Sequence, residues 1–186
     1  MIGAAATRER LLAVDWSQYR FIHIATHGVV DPQIPELSAL ILGTYGTSGE
    51  VTDRAVRVAD VSLKALTADV VVLSACETAL GPEVRGEGLV GMSSTMLARG
   101  ARAVVASLWP VADETGARLM TEFYEHMLRD AMGPDAALGA AMRSMVLRGE
   151  SADPALWAAF QASVASLRPP QSSPPVTVEV AAVTTP

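Results

Sequence analysis

Two apolar runs constrain this chain more than any other feature. "ADVVVLSACE" (residues 68–77) and "RAVVASLWPV" (residues 102–111) are continuously apolar rather than alternating. A strand reads this way when helices cover both faces of its sheet. A third segment, "YRFIHIATHG" (residues 19–28), is rich in aromatic and β-branched residues and ends at a glycine, which also predicts a strand. Helical patterns separate and follow these runs. "GEGLVGMSSTMLARGA" places Leu89, Met92, Met96 and Leu97 on one face and stops at Gly100. "DETGARLMTEFYEHMLRD" starts at Asp113 and turns Leu119, Met120, Phe123 and Met127 inward. "GPDAALGAAMRSMVLRGE" carries Pro134 near its first position. Strand, helix, strand, helix in this order predicts an α/β fold with parallel strands joined by right-handed crossovers.

The remaining segments are less periodic. "AATRERLLAV" predicts a helix capped by Thr7. "LSALILG" predicts a short strand and "TYGTSGE" a turn. "EVTDRAVRVADVSLKAL" predicts a turn and a short helix, started by Asp60, that carries Val61 and Leu63 inward. Residues 1–167 form the expected domain. Residues 168–186 contain five prolines and no helical period, and are expected to be a disordered tail.

Composition narrows the function. Half of the 186 residues are hydrophobic and only 18% are charged, as a packed interior requires. The net charge is −6 and no basic stripe occurs, which argues against a nucleic-acid partner. No apolar run reaches the ~18 residues that span a bilayer. The start lacks the pattern of a secretory signal. A single cysteine leaves no internal disulfide, which fits a reducing compartment. A cytoplasmic protein without a membrane partner is the expectation.

Chemistry in parallel sheets collects outside the carboxyl ends of the strands. His27 lies there on the first strand, Cys76 on the second, and Trp109 and Asp113 beyond the third. A lone cysteine is also a small hydrophobe that fills cores. Beside an imidazole, however, a thiol becomes a nucleophilic thiolate. The same imidazole can protonate a leaving amine. Of the other histidines, His23 reads as a core residue and His126 as a polar-face residue. The amides of Gly28 and Cys76 are candidate oxyanion donors. Trp109 and Trp157 read as core residues, with a pocket wall as the other role.

"GEGLVG" (residues 86–91) also has the glycine spacing of a dinucleotide site. A true fingerprint follows its strand at once and meets an acid ~20 residues on. Here "CETALGPEVR" intervenes, so a nucleotide-binding module is the weaker reading. No phosphate loop, serine nucleophile elbow or zinc spacing occurs, and no cofactor or metal is expected.

Taken together, "HIATHG", "ADVVVLSACETALG", "GEGLVGMSSTMLARGARAVVASLWPVAD", "LMTEFYEHML" and "WAAF" resemble the CHAT domain, a caspase-like peptidase family often joined to tetratricopeptide repeats. The resemblance covers about residues 4–160 in the family's order. His27 and Cys76 stand 49 residues apart; caspases separate histidine and cysteine by ~50. The local caspase signature is absent, since Glu77 and Thr78 follow the cysteine. The resemblance implies a caspase-like three-layer sandwich whose mainly parallel sheet is flanked by helices. It implies a cysteine endopeptidase acting on a protein substrate through His27 and Cys76. Oxyanion donors would be Gly28 and Cys76, and the substrate pocket would involve Glu77, Trp109 and Asp113. A tetratricopeptide or other regulatory partner is implied as well. A non-catalytic scaffold is the alternative.

Three departures accompany the resemblance. Only about twenty residues precede the histidine strand, so the amino-terminal part of the domain is expected to be missing. Ala112 and Gly116 stand where the family often has an acid and a threonine. "WAAFQASVAS" lacks the usual apolar ending, so the last strand is expected to be altered or absent, leaving an exposed sheet edge.

Overall fold

The two apolar runs become neighbouring strands at the centre of a mixed sheet. The computed structural model describes residues 5–29, 31, 34, 37–43, 53–77, 87–149, 153–165 and 178–182. Strands β1 (Phe21–Val29), β2 (Ala39–Ile41), β3 (Ala55–Arg57), β4 (Val70–Glu77), β5 (Ala103–Ser107) and β6 (Phe160–Val164) lie in the order β3-β2-β1-β4-β5-β6. A seventh strand, β7 (Val178–Ala182), pairs with β1. The ladders β1–β4, β4–β5 and β1–β7 are parallel, while β1–β2, β2–β3 and β5–β6 are antiparallel.

Burial explains the continuous apolar runs. Val70, Val71, Val72 and Leu73 are all fully buried, and every residue of β5 is buried. Odd and even positions feed different cores. Ile22, Ile24, Val71, Leu73 and Val104 pack on one face with α1 (Arg8–Ala13), α2 (Val58–Ser62) and α3 (Glu87–Ala98) through Leu11, Val61, Met92 and Met96. Phe21, Val70, Val72 and Val105 pack on the other with α4 (Asp113–Leu128) and α5 (Pro134–Leu147) through Leu119, Phe123, Leu138 and Met145. The result is helix, sheet, helix, the three-layer α/β sandwich that the sequence predicts.

Local chemistry sets the helix boundaries. Thr7 caps α1 by accepting the Arg10 amide at 3.3 Å. α3 ends at Ala98 and the chain turns away at Gly100, whose φ of 118° is readily available to glycine. Asp60 sits in the first turn of α2 rather than before it. Its carboxylate accepts the Arg57 amide at 2.9 Å and the Arg8 guanidinium at 2.6 Å, tying α1 to α2. Val61 is buried as expected, but Leu63 is 82% exposed because α2 has ended and its C-cap turns the side chain outward.

The opposite rim of the sheet, at the amino ends of the parallel strands, is clamped by one carboxylate. Asp69 receives Arg20 at 2.7 Å and Arg102 at 3.3 Å, and the Asp69 amide donates to the Arg20 carbonyl at 2.7 Å. Arg20, Asp69 and Arg102 stand immediately before the starts of β1, β4 and β5. The clamp therefore fixes the stagger of all three strands.

Three expectations are corrected. The last strand is present: β6 runs antiparallel to β5, Phe160 opposite Ser107, and the Leu108 amide donates to Ala159 at 2.6 Å. Its Phe160 is buried and Gln161 exposed, the weak alternation of an edge strand. The first strand does not end at Gly28, because β1 continues to Val29 and β2 pairs with it. Part of the expected disordered tail is strand β7, where Val178 and Val180 supply β-branched residues and the open edge of β1 supplies backbone partners. The expected turn at 44–50 and the remainder of the tail lie outside the described residues.

His23 is half-buried rather than fully in the core. It lies on β1 between Phe21 and Ala25, with its ring 5.9 Å from that of Tyr124. The Tyr124 hydroxyl is 3.4 Å from Nδ1, while Nε2 is buried without a hydrogen-bond partner among the described residues. Burial pushes the His23 imidazole down to about 4. It pushes the Tyr124 phenol up.

Truncating Phe123, fully buried between α4 and the sheet, is expected to cost about 3–5 kcal/mol, read from denaturant midpoints of Phe123→Ala. Because the folded state holds His23 below its unfolded value, the chain binds an extra proton on unfolding. The contribution of neutral His23 is full above about pH 6.5 and is lost as pH falls towards 4. The gap corresponds to at most about 3 kcal/mol. His23→Phe should therefore show a flatter loss of stability between pH 7 and 4 in melting curves, whereas an unchanged slope would contradict this assignment.

Candidate functional site

The parallel ladder of β1 and β4 brings together the two residues singled out in the sequence. Eight consecutive residues pair, from Phe21 with Val70 to Gly28 with Glu77. His27 falls opposite Cys76 in that register. Neighbouring strands lie about 4.8 Å apart, so the two backbones are direct neighbours. The pairing occurs at the carboxyl end of both strands. His27 is only partly buried, whereas Ile24 and Thr26 on the same strand are buried. Its other neighbour is Ile41 on β2.

The rim continues to β5. Ser107 ends that strand and is buried. Trp109 follows, packed partly against the α4–α5 core, and its indole N–H donates to the Ala155 carbonyl at 2.8 Å. Trp109 thus joins the segment after β5 to the 3-10 turn Pro154–Leu156 that leads into β6. Trp157 packs against the same core, as expected for a core tryptophan. Asp113 is exposed at the first position of α4, with Glu114 beside it in the same turn. Glu77 is the rim residue of β4, in register with Gly28.

Sequence reasoning passed over two polar residues near this rim. Thr26 is buried and its hydroxyl donates to the Ile41 carbonyl, which fastens β2 to β1 one residue before His27. Ser107 is the second. Both are short hydroxyl residues at the ends of apolar runs, which was the available signal. His126 takes no part in this rim: its Nδ1 lies 2.8 Å from an Asp130 carboxylate oxygen on α4's exposed side.

Among the described residues, no group of three His, Cys, Asp or Glu side chains is arranged to hold a metal ion. No helix among them is long and apolar enough to cross a membrane. For the glycine-rich "GEGLVG", β4 ends at Glu77 and α3 begins at Glu87. The glycines therefore do not form the immediate strand-to-helix turn that a dinucleotide pyrophosphate occupies. Gly86 lies outside the described residues.

The sequence of this chain matches a known family and known proteins. The family model described as CHAT domain matches residues 1–165. Tetratricopeptide repeat protein 28 of Mus musculus is 29% identical over 195 aligned residues, covering 86% of this chain. Tetratricopeptide repeat protein 28 of Homo sapiens is 26% identical over 189, with the same 86% covered. The chain spans about 8% of the length of each of these relatives. A family match over residues 1–165, most of the chain, establishes that this chain belongs to the CHAT domain family.

Proposed function

We propose that this chain is a cysteine endopeptidase domain acting on a protein substrate, with Cys76 as nucleophile and His27 as its acid–base partner. The observation that supports it most is the register of His27 with Cys76 at the carboxyl-end rim of a parallel sheet. The reaction begins with a proton moving from the thiol to the imidazole. The thiolate attacks the scissile carbonyl carbon, and the carbonyl oxygen becomes an oxyanion. Backbone amides of Gly28 and Cys76 are assigned to meet that charge. The tetrahedral intermediate collapses, the C–N bond breaks, and the imidazolium gives its proton to the departing amine. A thioester remains. Water, deprotonated by the imidazole, attacks it and releases the acid and the free thiol.

The pocket is assigned to Glu77, Trp109 and Asp113. Two acids at the rim favour a substrate with a basic side chain beside the scissile bond. Trp109 acts as a wall, since its N–H is already committed to Ala155. Both relatives are named as tetratricopeptide repeat proteins, which supports a repeat domain or repeat protein as the proposed regulatory partner. A reducing, cytoplasmic setting suits a free catalytic thiol. The alternative reading is a scaffold that binds without hydrolysing.

An electrophilic peptide probe with a basic residue at its reactive end separates the two. Labelling should occur at Cys76, vanish in Cys76→Ala, and slow by roughly 100-fold or more in His27→Ala, with melting temperatures unchanged. Labelling that ignores His27 would leave only the scaffold. Asp113→Asn should reduce the preference for basic over neutral probes severalfold without abolishing labelling, as competition between the two probes would show.

A further inference from the structure

A separate feature of the sheet, unrelated to the chemistry above, is the outer edge of β1. β2 covers only its last three residues, Gly28 flanked by His27 and Val29. The stretch from Phe21 to Ala25 is covered instead by β7, in parallel, with Val178 opposite Phe21 and Ala182 opposite Ala25. β7 differs from the other strand that closes a sheet edge beside the parallel core. β6 packs against α5 as well as β5, whereas β1 is the one element with which β7 makes extensive contact among the described residues. Five residues held mainly by a backbone ladder stand near balance, because the hydrogen bonds gained are set against the entropy of ordering them. The segment "VEVAA" carries a single charge, on Glu179.

We propose that the outer edge of β1 from Phe21 to Ala25 is a parallel strand-acceptor site. β7 fills it from within the chain, and once β7 lifts away the site takes the same segment of a second copy. The occupant is the segment whose register the structure gives. In that register Val178 and Val180 stand opposite Phe21 and His23, on a β1 whose Ile22 and Ile24 are buried in one core and whose Phe21 is buried in the other. Main-chain bonds supply the attraction and the alternating side chains the selection. The tethered strand competes at high effective concentration, so exchange between copies is suppressed while β7 is seated. Freeing β7 converts the edge into a surface for self-association.

The test uses the full chain and a fluorescein-labelled peptide of residues 176–184. Adjacent strand residues point their amides to opposite edges. The double substitution Val180→Pro with Ala181→Pro therefore removes a ladder donor whichever edge each amide faces. By fluorescence anisotropy the doubly substituted chain should bind the peptide at least tenfold more tightly than the wild type. A peptide carrying the same two prolines should not bind. Equal affinity of both chains, or binding of the proline peptide, would overturn the proposal. Should the substituted chain fail to fold, wild-type hydrogen exchange decides. Amides of β7 should exchange at least 100-fold faster than those of Val71, Val72 and Leu73 in β4, and equal protection would refute an exchangeable strand.

Discussion

The ladder between β1 and β4 is the constraint on which the rest depends. Its stagger of 49 residues is the same at both ends, where Arg20 meets Asp69 and where His27 meets Cys76. At the amino end the stagger is held by an ion pair, a backbone hydrogen bond and a second guanidinium from Arg102. Along its middle it is held by four fully buried residues, Val70 to Leu73, that cannot shift by one position without exchanging the two cores. A carboxylate far from the candidate site therefore contributes to the placement of the candidate nucleophile.

The two rims of the sheet have different jobs. The amino-end rim is charged and locked. The carboxyl-end rim carries His27 on β1, Cys76 and Glu77 on β4, Ser107 at the end of β5 and Asp113 at the start of α4, and the carboxyl ends of parallel strands are where such sheets bind ligands. The tie from Thr26 to the Ile41 carbonyl gives β1 a neighbour on its free side at that rim, so the histidine is flanked by strands on both sides. Membership of the CHAT family fits this division of labour, and the catalytic reading rests on the carboxyl-end rim alone.

Much of this was legible in the residues. Continuous apolar runs marked β4 and β5, because burial on both faces removes alternation. Strand ends marked His27 and Cys76, because a parallel sheet aligns its carboxyl ends. Of the short strands, "LSALILG" marked β2, but the others were not legible. β3 holds three residues, Ala55–Arg57, and exists because β2 offers it an edge. β6 mixes Gln161 and Ser163 among its apolar residues, and its pairing partner is more than fifty positions away. β7 sits in a segment whose prolines suggest disorder, yet Val178 to Ala182 is free of them and meets an edge that no local pattern announces. In each case the deciding partner is remote in sequence. Leu63 shows the converse error: a helical period continued on paper past the point where α2 stops.

The claim that sulfur and imidazole share one cleft is tested most directly by titrating the chain's single thiol through its absorbance near 240 nm. Since Cys76 is the sole cysteine, the signal has one source. A neighbouring His27 imidazolium should bring the midpoint well below the ordinary ~8.5, and His27→Ala should return it towards that value. A midpoint at or above 8.5 that His27→Ala leaves unmoved would contradict the account.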